Sequence, residues 1–502
     1  MKATFRKSMI WLHTYLGVFC GWLLFAIFVT GTLSYFTPEM TRYLMPERHV
    51  ISLPQDTLID HSFAFLKENA SDADEWRVHL PTDRNAHWYV QWRKDKSRKK
   101  VTFNADTAAL EKEMETKGGL FFRNFHYTLQ LRGYGGRYIV GIAAMAMLLA
   151  IFTGIFTHRR FFRDFFTLRP HKLKKWLTDF HALAGILTLP FCIMICVSGI
   201  FIYAIMYMPY AANSHFERGE KGVNKQIIPS LAQLPPAQKV QEQTQIQISR
   251  ITSTLAKTWQ EPNPIAKITV EKPQFSNSRT IVERSKATTV SNRAERAVFH
   301  SYTGDVLPGY ENETVPAQIR RVLYGLHQAN YAPIGMRWLL FALGVAGCAL
   351  IATGNIIWVN QRKKSNKQSR LTLALMEKGN VAAIMGLVLA CISFFLANKL
   401  LPETMAMRSE WEINSFFIVW LASFHHALYS GSARRAWYQQ TLLASLFCFS
   451  LVMIELSMYF SRIQHGVITG DMTYLSFIPA FLVFGGLLLI LARKFRRHGA
   501  GQ

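Results

Sequence analysis

Carboxylates are scarce in this chain: 32 Asp and Glu stand against 57 Lys and Arg, a formal charge of +25 over 502 residues. Such an imbalance can mark a nucleic-acid binder. Here much of the excess sits in short segments beside long apolar runs (KATFRK, HKLKK, NQRKKSNKQSR, ARKFRRHG), where membrane proteins carry their cations, so no nucleic acid is expected as a partner. Nucleotide signatures are missing as well. No G-x-G-x-x-G follows a strand-like run and no P-loop occurs, which leaves no recognisable NAD or ATP site. The two large polar segments contain no cysteine. All six (Cys20, Cys192, Cys196, Cys348, Cys391, Cys448) lie in apolar blocks, which excludes a disulfide framework in those segments. No Cys/His constellation shows zinc spacing.

What the chain has is long apolar runs. A helix rises about 1.5 Å per residue, so about 20 apolar residues cross a hydrocarbon layer roughly 30 Å thick. Eight segments meet that test: 10–36, 137–157, 182–206, 337–359, 380–400, 412–430, 437–460 and 474–492. The first is too long for a signal-peptide core and reads as an uncleaved span. The short basic connections fall on one side if the N-terminus is inside, which places both termini in the cytoplasm. The long segments 37–136 and 207–336 then face outward. Each reads as a small α+β module: a helical stretch (DHSFAFLKENA; ISRITSTLAKTW) precedes strand-like alternation (WRVHLP, HWYVQWR, KKVTFNADT; IAKITVEKP, TIVERS, RAVFH).

An internal repeat organises the first two thirds. His13 and His181 open spans 1 and 3. Each is followed by Gly at i+4 (Gly17, Gly185) and by a second Gly at i+18 (Gly31, Gly199), itself preceded by Thr30 or Ser198. His126 and His327 precede spans 2 and 4, and Thr153-Gly154 and Thr353-Gly354 stand at equal offsets from Arg137 and Arg337. The predicted domains are therefore a first repeat over 1–165, a second over 166–365, and a C-terminal four-helix membrane region over 366–502. The two repeats run parallel, related by an axis along the membrane normal.

Ionisable residues in spans are candidate functional residues, and histidine in a helix bundle is a common axial ligand of haem b. Gly17 and Gly31 lie on the face of His13, and Gly185 and Gly199 on that of His181, because 18 residues make five turns. Missing side chains there would leave room for a flat macrocycle; the plainer reading is close helix packing. The repeat pairs His13 with His181 for an inner haem and His126 with His327 for an outer one, on short amphipathic helices whose plainer role is interfacial anchoring. His158, four residues after Gly154, is a further inner candidate, or a basic residue reaching for the headgroups. Asp179 either orients His181 or caps its helix. His425 and His426 are adjacent and face different sides of one helix. Glu455 is a lone carboxylate in a span, set to pair with another helix or to relay protons.

These stretches resemble the PepSY-associated transmembrane family, bacterial iron-regulated inner-membrane proteins that include ferric-siderophore reductases. The likeness covers about residues 5–365, in WLHTYLGVFCGWLLFAIFVTGTLSYF, FHYTLQLRGYGGRYIVG, IFTGIFTHRRFFRDFFTLRP, DFHALAGILTLPFCIMICVSGIFIY and LHQANYAPIGMRW. RAVFHSYTGDVL looks like the end of a PepSY module, with Gly304 before Asp305 where the turn differs from the family pattern. The resemblance implies two PepSY-like periplasmic modules and a dihaem reductase of the bacterial inner membrane. That enzyme would reduce siderophore-bound ferric iron in the periplasm and release ferrous iron. Its expected partners are a ferric siderophore or other ferric chelate, an external electron donor (a quinol or a reductase), periplasmic iron-binding or transport proteins, and the lipid bilayer. Two readings compete: a permease for an iron complex, and a non-redox anchor for the outer modules. The last four spans depart from four-span members of the family.

Overall fold

The computed structural model describes residues 3–45, 53–111 except 83 and 86, 114–157, 173–217, 219, 222–223, 238–239, 245–259, 265–285, 290–291, 294–308, 314–365 and 369–497. In chain order its elements are α1 (Ala3–Ser34), α2 (Thr37–Leu44), α3 (Gln55–Asn69), β1 (Glu75–His79), β2 (Trp88–Lys94), β3 (Ser97–Phe103), β4 (Leu110–Glu111), α4 (Leu120–Thr128), α5 (Gly136–Thr157), α6 (Leu173–Leu187), α7 (Leu189–Tyr207), α8 (Pro209–His215), α9 (Ile248–Thr258), β5 (Ile265–Glu271), β6 (Arg279–Arg284), β7 (Arg296–His300), α10 (Val315–Gln328) and α11 (Ile334–Ser365). The C-terminal region adds α12 (Arg370–Leu400), α13 (Arg408–Tyr429), α14 (Ala433–Met458), α15 (Phe460–Thr469), α16 (Met472–Leu475) and α17 (Phe477–Arg497). The chain divides into two compact units: 1–45 with 115–203 and 334–502, and 46–114 with 204–333.

The first unit is helical. Among the described residues seven helical stretches are long and apolar enough to cross a membrane: α1, α5, α7, α11, α12, α14, and α16 with α17. The expected span at 412–430 is a helix of 22 residues, α13, but falls short on apolarity. The reason is where its polar groups go. Arg408 and Glu412 are buried as an ion pair at 2.6 Å, Trp420 Nε1 donates to Ala382 O at 3.2 Å, and both His426 nitrogens meet Gln439 and Gln440, at 3.0 and 3.2 Å. These groups face α12 and α14 and are satisfied there. The expected third span is longer than its apolar run. It starts as α6 and continues as α7 after a turn at Thr188, where Pro190 supplies no N–H and Thr188 Oγ1 donates to Ala184 O at 2.8 Å. α12 carries a π turn at Ala382–Gly386, every residue of it buried. A Cβ on Gly386 would stand 2.0 Å from Ser423 Oγ, so α13 approaches α12 there as only glycine allows. Trp22 of α1 donates to Asn380 Oδ1 at 2.7 Å and fastens α12 to α1.

The second unit is built on strands. The sequence reads as two separate modules; the structure joins their strands in one seven-stranded sheet, ordered β4-β3-β2-β1-β5-β6-β7. Every pairing is antiparallel, and β1 meets β5 with Arg77 opposite Thr269. Each module alone would leave its first strand as an open edge, and the pairing removes both edges. Burial alternates along β1, as half-sheet patterning requires. Leu58 and Leu66 of α3 and Ile251 and Leu255 of α9 join Trp76, Val78, Trp88, Ile268, Val282 and Phe299 in a single core. Trp88, wholly buried, donates its Nε1 to Ser62 Oγ at 2.8 Å.

Candidate functional site

Three histidines of the helical unit stand in the same local setting. His13 of α1 rests on Gly154 of α5, its Nδ1 2.9 Å from Ala150 O. His181 of α6 rests on Gly354 of α11, its Nδ1 3.0 Å from Leu350 O. His126 of α4 rests on Gly31 of α1, its Nδ1 2.8 Å from Ile27 O. In each case the carbonyl belongs to the residue four before the glycine. The glycine lets the ring sit close: a Cβ would stand 3.1 Å from His13 Cε1 and 3.1 Å from His181 Cε1, both tight, and 2.6 Å from His126 Nδ1, where something would have to shift. A threonine precedes each glycine and donates its hydroxyl back to the same carbonyl, Thr153 at 3.0 Å, Thr353 at 3.0 Å and Thr30 at 3.2 Å. Thr153 and Thr353 also reach the imidazoles themselves, at 3.4 and 3.2 Å.

A backbone carbonyl only accepts, so each Nδ1 carries the proton and each Nε2 carries the lone pair. That is the tautomer a metal-ligating histidine needs, held by the kind of outer partner such ligands use. The His13 and His181 rings have centroids 6.4 Å apart with planes at 71°. A metal–imidazole bond of about 2.0–2.1 Å on each side, plus the half-width of each ring, puts two ligands of one ion about 6 Å apart. Among the described residues no group of three or more His, Cys, Asp or Glu gathers to hold a metal by itself.

The other predicted residues fall as follows. Gly17 faces open space, with nothing within 4 Å of a Cβ built on it. Gly185 meets Leu350 Cδ1 at an ordinary 3.5 Å. The space over Gly31 is taken by the His126 ring, so this glycine makes room for a candidate ligand, where the sequence reading had it make room for the macrocycle. Gly199 lies within α7, after Ser198, whose hydroxyl bonds back to Met194 O and Ile195 O at 2.5 and 3.2 Å. His327 is the penultimate residue of α10, in the unit that holds the sheet. His158 lies outside the described residues. His425 packs against Tyr429, and His426 is spoken for by the two glutamines. Glu455 is paired with Lys399 of α12 at 2.7 Å, both side chains buried. Cys192 and Cys196 are buried thiols. The roles of Gly154 and Gly354 were missed. Their signal was the Thr-Gly pair repeated at one offset in spans 2 and 4, legible as a repeat but not as a seat for His13 and His181.

The sequence profile of the PepSY-associated TM region matches residues 10–361. The chain belongs to the PepSY-associated TM family. It is a membrane protein, and the matched region takes in His13, His126, His181 and His327 and stops before α12. An uncharacterized protein of Pseudomonas aeruginosa is 23% identical over 317 residues, 60% of this chain and 77% of that protein.

Proposed function

We propose that this PepSY-associated membrane protein is a haem b oxidoreductase of the bacterial inner membrane, passing electrons to ferric iron held by a siderophore or similar chelate in the periplasm. The observation that carries the reading is the His13–His181 pair: two imidazoles from different helices, ring centroids 6.4 Å apart, each with Nδ1 on a backbone carbonyl, the tautomer suited to ligation through Nε2. Two side chains under-coordinate a bare ion, so His13 and His181 would suit a metal that arrives within a cofactor carrying ligands of its own. Haem b, when bound, supplies reversible one-electron transfer. The chain's own residues do the rest. Ala150 O and Leu350 O fix the tautomers, Gly154 and Gly354 let the rings approach, and Gly17 leaves open space on the same face of α1.

The matched seats of His13 on α5 and His181 on α11 support a parallel duplication of the first four spans. In sequence His126 and His327 hold matching places in the two repeats and are the further candidate ligands. With no nucleotide site in the sequence, electrons come from a quinol or a partner reductase. The substrate chemistry suits the charge: ferric chelates are commonly anionic, the chain is strongly cationic, and one electron converts iron(III) to iron(II), which hard oxygen ligands hold less well.

The test is an oxidised-versus-dithionite-reduced spectrum of the detergent-purified protein with a pyridine haemochrome assay. The reading expects b-type bands and about two haems per chain. His13→Ala and His181→Ala should each remove one of them, and His327→Ala the other. A colourless protein from cells with adequate haem would overturn the electron-transfer reading and leave a permease or a binding anchor as the better account.

A further inference from the structure

The helices after α11 lie beyond the matched family region, and their packing gives them a task. The segment just before α4 is gripped by α13. Glu412, wholly buried, accepts Thr116 Oγ1 at 2.6 Å and the Lys117 backbone N–H at 3.4 Å on Oε2. Its Oε1 accepts Arg408 Nη1 at 2.6 Å and Asn398 Nδ2 at 2.7 Å. Arg408 also donates to Glu115 O at 3.2 Å and to Asn398 O, and Ser409 Oγ donates to Glu115 Oε1 at 2.7 Å. A buried ion pair tolerates no missing partner without a large penalty, so this network holds Glu115–Lys117 in one place.

α4 follows directly and docks its aromatic face on the same helices. Phe121 stacks on Phe394 of α12 with centroids 4.5 Å apart, and Phe122 on Phe395 at 5.7 Å. Phe125 meets Phe416 of α13 edge-on at 5.6 Å. The next residue is His126, which reaches α1 at Ile27 O. The helix carrying this histidine is thus fixed at its start and along its face by α12 and α13, and at its ligand by α1.

The geometry points to α12 and α13 as a clamp that positions the His126 imidazole, with Glu412, Arg408 and Asn398 acting on it through the Glu115–Lys117 segment and α4. The consequence for a haem ligand rests on the function proposed above; the clamp itself does not. The experiment uses the full-length protein, purified in detergent after expression with haem supplied, as wild type, Glu412→Gln and Thr116→Val. Hydrogen exchange is followed across residues 120–128, and the midpoint potential of each b-type signal is titrated. Loss of a hydrogen bond to a charged group should raise α4 exchange roughly tenfold or more. One haem signal should then shift in potential or disappear, while the signal removed by His13→Ala stays. Unchanged exchange in both variants overturns the clamp. Raised exchange with both potentials unmoved, in haem-loaded protein, overturns the positioning role. If Glu412→Gln does not fold, Thr116→Val decides alone, because it removes one bond and leaves the buried pair covered. Wild-type protein without haem would sink the proposed function while leaving the exchange measurement as a test of the clamp.

Discussion

A single methyl group probes the seats under His13 and His181. Gly154→Ala and Gly354→Ala each place a Cβ 3.1 Å from an imidazole carbon, tight against a ring that its carbonyl holds in place. Overpacking of this kind costs about 1–3 kcal/mol, and here the cheapest relief is for the ring to leave its carbonyl. Both variants should lower haem content toward one per chain, read by pyridine haemochrome. Gly17→Ala has nothing within 4 Å and should leave stability unchanged in haem-free protein; haem loading that is equally indifferent to Gly17→Leu would show that the open face is not where a macrocycle packs. A second residue reports on pH. His79 of β1 stacks on Tyr89 with centroids 4.3 Å apart. Burial, followed by the Lys267, Arg77 and Lys100 cations, pulls its imidazole down from 6.5 to about 3. Below about pH 6.5 the unfolded chain therefore takes up a proton that the folded sheet refuses, so stability present at neutral pH is lost as the pH falls toward 3. Amide protection of β1 should drop between about pH 7.5 and about pH 5, and His79→Phe, which keeps a ring on Tyr89, should flatten that drop. An identical pH dependence in the variant would mean other groups control it. At this scale the sequence exposed the histidines, because their spacing repeats, but not their carbonyl partners, because nothing in a single strand of letters says which neighbouring helix a ring will touch.

Among elements, the clearest energetic test is the pair joining α12 to α14. Lys399 and Glu455 are 2% and 1% exposed and 2.7 Å apart; Tyr474 donates its hydroxyl to Glu455, and Lys399 Nζ lies 4.2 Å from the Tyr43 ring centroid. Removing one partner strands a charge away from water, at a cost of roughly 3–5 kcal/mol. Glu455→Gln should therefore lower the thermal midpoint in detergent clearly. The double variant Lys399→Met with Glu455→Leu should recover much of the loss, since apolar replacement of a whole buried pair is often close to neutral. A double variant no better than the single one would give the pair a role beyond charge compensation. The sequence showed Glu455 as a lone carboxylate in a span and left its partner open, since Lys399 sits at the end of a different apolar run. Local elements were read well for the opposite reason. The expected 137–157 is α5 at Gly136–Thr157, and HWYVQWR and RAVFH fall on β2 and β7; periodicity is a property of neighbours in the chain. The β1–β5 pairing was not legible, because it joins segments separated by several helices and depends on two open edges meeting.

For the whole molecule, the status of α13 decides the topology. Counting by apolarity alone gives seven candidate crossings among the described residues, an odd number that would put the termini on opposite sides of the membrane. The packing of α13 bears on that count. α13 begins beside the end of α12, where Glu412 meets Asn398 at 2.7 Å. It passes Ala382 at Trp420 and finishes beside the start of α14, where His426 meets Gln439 at 3.0 Å. It therefore runs antiparallel to α12 and α14 over their shared height, with Glu412, Trp420 and His426 satisfied between them, and we propose that it crosses with them. Were α13 an eighth crossing, the count among the described residues would be even, and the topology expected from the basic connections, both termini cytoplasmic, would follow. Reporter fusions test this directly, because alkaline phosphatase is active only when exported and green fluorescent protein fluoresces only when retained. Phosphatase fused after Met407 should be active, and after Ser430 inactive. Fluorescent protein fused at the C-terminus should fluoresce. Active phosphatase at both internal points would show that α13 lies on one side of the membrane, making the crossings odd and separating the termini, and the buried Arg408–Glu412 pair would then have to be read as an interfacial feature.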